Sequence, residues 1–236
     1  MILLTLIAFY SDIPPSEQKV PTEIHQGLNG TLTYLGEGSQ TVAYLSSDGA
    51  CVLKLFKATH EKSFKFTRLF RRRDKAQSGA KWRQKFEDTA RRTALAYDHL
   101  REESALLYLH FEATEESLTV TLKERSGIVR HVDLSSLPFV IQKKAILAPE
   151  YLSSLIAQGD RQKALEAALS LKALFEARAL KGFSDPRQTL STNYGFIEGK
   201  AIQIDVGKIE KDPDADSSKV HAKVDNWVNK NFPELL

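Results

Sequence analysis

The sequence is poor in cysteine, since Cys51 is the only one among 236 residues. No disulfide can form within the chain, and a reducing compartment is the expected setting. The six histidines stand at least eleven residues apart, and neither an HExxH nor a CxxC spacing occurs, which argues against a zinc site. A GxSxG motif is also absent, so a serine hydrolase is disfavoured.

Long apolar runs are lacking as well. The first nine residues, MILLTLIAF, are apolar, but that is too short to span a bilayer. They carry neither a basic start nor a clear cleavage site, so they are either an atypical signal segment or a strand or short helix packed on a domain. We expect a cytoplasmic protein without a transmembrane span, and a secreted one is disfavoured.

Charge is unevenly distributed along the chain. The net charge is only +3, but residues 57–92 hold thirteen Lys or Arg against four Asp or Glu. Aromatic side chains alternate with these cations, as in KSFKFTRLFRRR. Such a segment can contact an anionic acceptor or a membrane surface, while its alternative is a solvated helix whose aromatics pack on the domain. Nucleic acid is the less favoured anionic partner.

The first half of the chain is mostly strand-like. TLTYLG and TVAYLS alternate around a glycine turn, and Asp48-Gly49 precedes the apolar CVLKLF, which predicts a hairpin. Residues 81–109 have helical periodicity, with Leu95, Leu100, Leu106, Leu107 and Leu109 on one broad face. A second hairpin turning at residues 125–127 and the strand LPFVIQKKAI follow.

The second half is mostly helical. Asp160 is a suitable N-cap and Gly182 a suitable stop for one long helix. Its apolar triplets, Leu165/Ala168/Leu169 and Leu171/Leu174/Phe175, predict a wide buried face. The hairpin FIEGKAIQIDVG and a short helix near residues 220–228 end the chain, so the predicted class is α+β.

Lys54 lies in the middle of the apolar strand CVLKLF and raises the question of its partner. A charged amine among apolar neighbours is costly unless an anion meets it. The turn before this strand holds Gly36, Gly38 and Ser39, and it joins two strands rather than opening a helix. That argues against a dinucleotide-binding fold and for a glycine flap over phosphates, with a plain glycine hairpin turn as the alternative.

Acidic and amide side chains supply the remaining candidates. Glu103, or its neighbour Glu102, lies in the predicted helix 81–109. Asp185 follows the long helix, Asn193 comes eight residues later, and Asp205 ends an apolar strand two residues before Gly207. Taken singly, each has a plain structural interpretation: a solvated helix face, a turn, or a strand terminator.

The order of these features resembles that of the protein-kinase-like superfamily over residues 31–210. It runs from the glycine hairpin through the strand lysine, the helix glutamate and the loop Asp and Asn to the final Asp-x-Gly. The resemblance implies ATP and Mg²⁺ as cofactors. Gly36, Gly38 and Ser39 would cover the phosphates, while Lys54 and Glu103 would position them. Asn193 and Asp205 would hold the metal, and Asp185 would be the catalytic base.

The sequence departs from the family pattern at several positions. Thr41 replaces the third loop glycine, Val206 replaces the Phe of Asp-Phe-Gly, and the loop from Asp185 to Asn193 is three residues longer than HRDxxxxN requires. Only 29 residues follow Gly207, a layout similar to the small lipopolysaccharide-core kinases that act on Kdo or heptose. We therefore expect a non-protein acceptor.

These observations predict a two-lobed protein-kinase-like fold with a strand-rich N-lobe and a reduced helical C-lobe. Residues 1–30 would be an apolar segment and linker, 31–147 the N-lobe with its basic insertion, and 148–236 the C-lobe. The expected function is ATP- and Mg²⁺-dependent phosphoryl transfer to a sugar or lipid-sugar hydroxyl. The alternative is a pseudokinase, a binding or scaffold module without turnover.

Overall fold

The computed structural model describes residues 21–57, 79–114, 117–187 and 189–235. Within these ranges the chain divides into two units. The first holds the described residues up to Ala90 together with Leu107–Lys144, and the second holds Arg91–Leu106 and Ala145–Leu236. The N-terminal apolar run and most of the basic segment 57–92 lie outside the described residues.

The first unit is built on a seven-stranded mixed sheet. Its strands are β1 Thr31–Glu37, β2 Thr41–Leu45, β3 Cys51–Phe56, β4 Leu106–His110, β5 Thr119–Lys123, β6 Val129–Asp133 and β7 Phe139–Lys143. They lie in the order β4-β7-β3-β2-β1-β5-β6. Three of these strands form the antiparallel series predicted around the glycine turn and Asp48-Gly49. Strands β1 and β5 are parallel, which the sequence did not indicate.

One face of this sheet carries the core of the first unit. Leu53 and Leu55 of β3 point into it, together with Leu32, Tyr44 and Ile141 from neighbouring strands. Helix α1 (Thr22–Leu28) contributes Ile24 and Leu28 to the same cluster. Because side chains alternate along a strand, Lys54, which lies between Leu53 and Leu55, must face the other side of the sheet.

The helix predicted over residues 81–109 ends earlier than its periodicity suggested. Helix α2 covers Gly79–His99, a four-residue helix α3 covers Arg101–Ser104, and β4 then begins at Leu106. Ala105 adopts a left-handed conformation, with φ of 53°, at the end of α3. Leu106, Tyr108 and His110 are buried in alternation, so the apolar spacing read as helical belongs to a strand.

The second unit gathers helices around a small three-stranded sheet. Besides the end of α2 and all of α3, its helices are α4 Ala148–Ala157, α5 Arg161–Leu180, α6 Leu190–Asn193 and α7 Ser218–Asn231. Its strands are β8 Ile146–Leu147, β9 Phe183–Ser184, β10 Tyr194–Ile197, β11 Lys200–Gln203 and β12 Glu210–Lys211. The sheet order is β11-β10-β8, and β9 pairs with β12 separately. The predicted hairpin FIEGKAIQ is thus β10 and β11.

Helix α5 has the predicted ends but only half of the predicted buried face. The Asp160 carboxylate accepts from the Lys163 N–H at 3.2 Å as an N-cap, and Gly182 follows the helix with φ of 75°. Leu171, Leu174 and Phe175 are buried, whereas Leu165 and Leu169 are 37% and 61% exposed. The prediction was wrong for Leu165 and Leu169, whereas Ala168 is half-buried against the core, because the helix packs on its neighbours along one stripe only.

The predicted fold class, α+β with a strand-rich part and a helical part, is confirmed. The predicted domain boundaries stay a prediction. In the structure, residues 91–106 and 145–147 lie in the helical unit, and helix α1 packs in the core of the first unit. Among the described residues, no helix is long and apolar enough to cross a membrane.

Gly195 in β10 is a position where packing leaves no room for a side chain. A Cβ there would lie 2.4 Å from the Ile146 carbonyl oxygen of β8 and 2.8 Å from the Ile204 Cδ1. We expect Gly195→Ala to lower the free energy of unfolding by ~1–3 kcal/mol, since β8 must shift. Urea denaturation would measure it, with Gly27→Ala of α1 as the control.

The control residue Gly27 lies within a helix, and an added Cβ there would find its nearest neighbour 3.9 Å away, at Asp48. Alanine favours helix over glycine by about 0.5–1 kcal/mol, so this variant should be as stable as the wild type or more so. Equal stability of the two variants would contradict the close approach of β10 and β8.

Candidate functional site

Lys54 lies on the sheet face opposite the core of the first unit. Strand β3 runs between β2 and β7, and Lys54 pairs with Ala43 on one side and Val140 on the other. Its side chain is half-buried, between the buried Val52 and Phe56 on the same face. The alternation of the strand thus explains how a lysine fits an apolar run: it lies outside the main core, and its stem covers apolar surface.

The glycine hairpin is closed by a lysine that sequence reasoning did not single out. The Lys57 ammonium, directly after β3, donates to the Gly38 carbonyl oxygen at 2.6 Å and forms an ion pair with the Glu37 carboxylate at 3.0 Å. The Lys57 N–H donates to the Gln40 carbonyl oxygen at 2.7 Å. An apolar strand that ends in a lysine opposite a glycine turn was the available signal for this contact.

Gly36 and Gly38 are not required by packing among the described residues. A Cβ on Gly36 would meet nothing within 4 Å, and one on Gly38 would lie 4.0 Å from Thr41 Oγ1. Neither has the positive φ that favours glycine, unlike Gly30 or Gly49. The Gly38 N–H already donates to the Thr41 carbonyl oxygen at 2.9 Å, and Ser39 at the turn is exposed. The open space above Gly36 leaves room for a ligand to approach the backbone.

Asp185 is the buried carboxyl of the second unit, with only 2% of its surface exposed. It follows the short strand β9, and both of its oxygens accept hydrogen bonds. Oδ1 takes the Arg187 N–H at 2.8 Å, and Oδ2 takes the Gln203 amide at 2.7 Å. The carboxyl group is therefore held in one orientation.

Burial raises the pKa of Asp185 above its ordinary value, because desolvation penalises the ionised form. The Arg187 N–H and the charge of Arg178 act in the opposite direction, whereas the negative charge of Asp205 adds to the increase. A carboxyl with a raised pKa is better suited to accept a proton than an ordinary surface aspartate.

A backbone hydrogen bond joins Asp205 to Asn193. Asp205 follows β11 and is exposed, its Oδ1 accepts the Gly207 N–H at 3.0 Å, and its Oδ2 has no hydrogen-bond partner among the described residues. Asn193 ends helix α6, and its carbonyl oxygen accepts the N–H groups of Ile204 and Asp205 at 2.7 and 3.3 Å. The side-chain amide of Asn193 donates to the Arg187 carbonyl oxygen at 3.4 Å.

Gln203 and Arg178 join these residues and were not among the sequence candidates. Gln203 Nε2 donates to Asp185 Oδ2 at 2.7 Å and to the Asp205 carbonyl oxygen at 3.0 Å. Arg178 Nη1 donates to Gln203 Oε1 at 2.8 Å and to the Tyr194 hydroxyl at 3.2 Å. All three side chains, Arg178, Tyr194 and Gln203, are at least 98% buried. An arginine on the inner stripe of α5 was the available signal.

Glu103 has a partner that the sequence did not suggest. Its Oε1 accepts from the Lys181 ammonium at 2.6 Å, while its buried Oε2 has no hydrogen-bond partner among the described residues. Glu102, the alternative candidate, is exposed and lies 3.5 Å from the Lys200 ammonium. The pairing of Lys54 with either glutamate stays a prediction.

The donor set near Asp205 is compatible with magnesium. Mg²⁺ usually takes one or two carboxylates together with substrate phosphates and waters, so it does not need a cage of protein ligands. Asp205 offers one exposed oxygen. Asn193, whose backbone carbonyl accepts the Asp205 N–H, has an amide oxygen that accepts from the Thr192 hydroxyl at 2.9 Å and keeps a second lone pair. Among the described residues, no group of three or more His, Cys, Asp or Glu side chains is placed to hold a metal ion.

Comparisons with known proteins return only distant similarities. No family model matches the chain, and no curated protein matches it. Solved structures similar to it include WbdD, with 15% identity and a TM-score of 0.42 over 80% of this chain. A second structure, described as the bifunctional kinase-methyltransferase WbdD, has 15% identity and a TM-score of 0.41.

A further similar structure is the Rv3197–erythromycin complex from Mycobacterium tuberculosis, with 14% identity and a TM-score of 0.36 over 99% of this chain and 66% of that one. The chain spans about a third of the length of the WbdD structures, 35% and 34% in the two cases. The similarity to a kinase-methyltransferase is thus weak.

The raised pKa of Asp185 predicts a specific pH dependence of stability. The folded state binds its proton more tightly than the unfolded state, so this carboxyl lowers stability as pH rises above its ordinary value of 3.8. We expect the free energy of unfolding of the wild type, relative to Asp185→Asn, to fall between pH 4 and pH 7. Urea denaturation at several pH values would measure the difference.

Asp133 provides a control of opposite sign. The Ser135 N–H donates to its carboxylate at 2.9 Å and lowers its pKa, so its stabilising contribution is present above pH 3.8 and is lost as pH falls through the lowered pKa. The wild type should therefore gain stability relative to Asp133→Asn as pH rises. The same slope for both aspartates would contradict the assigned environment of Asp185.

Proposed function

We propose that this protein is a kinase-like phosphotransferase that uses ATP and Mg²⁺ and acts on a non-protein hydroxyl. The observation that carries the proposal is the linked set in the second unit. A buried, oriented carboxyl (Asp185), an amide (Asn193) and an exposed carboxylate (Asp205) are joined by hydrogen bonds within about twenty residues of chain.

Each of these three groups has the chemistry that its proposed role requires. Asp205 keeps one carboxylate oxygen free for a hard cation, and Asn193 would add an amide oxygen. Bound Mg²⁺ would neutralise phosphate charge at this site. Asp185, with its raised pKa, would accept the proton of the acceptor hydroxyl.

The first unit offers groups suited to phosphate. Lys54 is a half-buried cation on a central strand, and Gly36 leaves its backbone open to a close approach. Lys57 fixes the hairpin at Gly38 and so favours one shape of the turn. We keep Lys54, Gly36, Gly38 and Ser39 as the proposed phosphate contacts of this unit and Glu103 as the proposed partner of the lysine.

A pseudokinase is the second candidate, and one observation favours it. Asp185 is 98% buried and both of its oxygens already accept hydrogen bonds, so an acceptor hydroxyl must reach a carboxyl that has little accessible surface. The Lys181 contact of Glu103 also gives that glutamate a structural role in its own unit. A module of this kind would bind nucleotide without turnover.

The first test is nucleotide binding. Mg-ATP should raise the melting temperature, because a ligand that binds only the native state stabilises it by about 2.7 kcal/mol at a hundredfold excess over its dissociation constant. Lys54→Met keeps the apolar stem, removes the charge, and should reduce this shift. Asp205→Asn should make the shift in melting temperature with ATP independent of Mg²⁺. Differential scanning fluorimetry measures all three.

Lys143→Met is the matched control for the lysine variant. Lys143 is exposed on the neighbouring strand β7, opposite Cys51, and has no role in the proposed site. Its shift with Mg-ATP should equal that of the wild type. The absence of any shift at millimolar ATP, with or without Mg²⁺, would refute both the phosphotransferase and the nucleotide-binding pseudokinase.

The second test separates catalysis from binding. Asp185→Asn should keep ATP affinity but lower phosphoryl transfer by roughly 10²–10⁴-fold, the usual contribution of a general base. Turnover would be followed as ADP release with sugar, lipid-sugar and small-hydroxyl acceptors, with anionic vesicles present because residues 57–92 are strongly basic. ATP binding without turnover on any acceptor would select the pseudokinase.

A further inference from the structure

We propose that Gln203, oriented by the buried Arg178, is the positioning residue that holds both candidate acids of the second unit. A single amide nitrogen donates to the Asp185 carboxylate at 2.7 Å and to the Asp205 backbone carbonyl at 3.0 Å. This inference rests on the proposed function for its catalytic meaning, whereas its geometry is independent of that function.

The orientation of the Gln203 amide is determined by hydrogen-bond chemistry. A guanidinium can only donate, so the side-chain atom of Gln203 that meets Arg178 Nη1 at 2.8 Å must be the oxygen. The nitrogen must then point to the opposite side, toward Asp185. A carboxylate can only accept when ionised, so it meets the donor end of the same amide. Both contacts require the same rotamer.

The amide also separates two buried opposite charges. Arg178 and Asp185 are each 98% buried, yet they form no direct ion pair within 4.0 Å. Gln203 lies between them with its oxygen toward the cation and its amino group toward the anion. A buried charge is costly unless it is paired and hydrogen-bonded, and here the amide dipole supplies that contact to both.

The link to Asp205 is what gives Gln203 a role in positioning. Asp205 is exposed and follows the last residue of β11 by two positions, where a backbone could adopt several conformations. The bond from Gln203 Nε2 to the Asp205 carbonyl oxygen and the bond from Gly207 N–H to Asp205 Oδ1 fix this turn. The exposed carboxylate oxygen is thereby held relative to Asp185.

The decisive variants are Gln203→Glu and Gln203→Leu. Glutamate has nearly the shape of glutamine and still accepts from Arg178, but in its ionised form it has no donor for Asp185. If Gln203 served only to fill space and satisfy Arg178, Gln203→Glu would behave as the wild type and only Gln203→Leu would differ. If it acts as a donor to the Asp185 carboxylate and the Asp205 backbone carbonyl, both variants should lose these two contacts and differ from the wild type in the same way. Gln142→Leu is the control, since Gln142 is equally buried in the first unit.

The first readout does not depend on activity. The amide N–H groups of Arg187 and Gly207 donate to the carboxylates of Asp185 and Asp205, so their proton–nitrogen NMR signals report on both acids. We expect both signals to shift in Gln203→Glu and Gln203→Leu and to stay in place in Gln142→Leu, with assignments fixed by Asp185→Asn and Asp205→Asn. Unchanged signals in a folded Gln203→Glu variant would overturn the proposal.

The second readout measures turnover, with Mg-ATP as the probe and ADP release as the signal. Loss of a group that hydrogen-bonds a metal-binding residue typically costs about 10–100-fold in metal affinity or activity. We expect Gln203→Glu to lower kcat by that factor while KM for ATP changes much less. Equal kcat values for Gln203→Glu and the wild type would overturn the positioning role. A wild type that binds no nucleotide refutes the proposed function instead, and the NMR arm then still decides whether Gln203 holds the two acids.

Discussion

A buried arginine on a helix creates the constraint that organises the second unit. The guanidinium of Arg178 cannot lose its charge, and it lies 98% buried on the inner stripe of α5. Its Nη1 donates to the Tyr194 hydroxyl of β10 and to the Gln203 amide oxygen of β11, which ties the helix to both strands of the hairpin, while its buried Nε has no hydrogen-bond partner among the described residues. The charge thus fixes which side chains can occupy the interior next to it, and Asp185 is the anion that the same network accommodates.

The two candidate acids are treated differently by their surroundings. Asp185 is buried, has both oxygens engaged and has a raised pKa, whereas Asp205 is exposed and keeps an oxygen free. In many enzymes, two neighbouring carboxyls have different pKa values because their environments differ. One then transfers a proton while the other stays ionised and stabilises charge. The same burial that raises the pKa of Asp185 also limits access to it, which is why a catalyst and a scaffold both remain compatible with this arrangement.

Much of the fold was predictable because local patterns agree with it. The glycine hairpin, β3 after Asp48-Gly49, the N-cap Asp160 and the stop at Gly182 all follow from turn and cap chemistry. The helix predicted through Leu109 was wrong because Leu106, Tyr108 and His110 satisfy a strand once Ala105 breaks the helix. A short apolar run is compatible with both periodicities, and only its neighbours in the sheet decide between them.

The sequence by itself determined the types of residue available to the site and the elements that carry them: a lysine on a strand, Asp185 after a helix and Asp205 after a strand. Only the tertiary structure decided their partners. Lys181 meets Glu103 over a separation of 78 residues, and Arg178 reaches Gln203 over 25. Contacts of this kind depend on how a helix face and a hairpin pack together, and one-dimensional spacing carries no record of that packing.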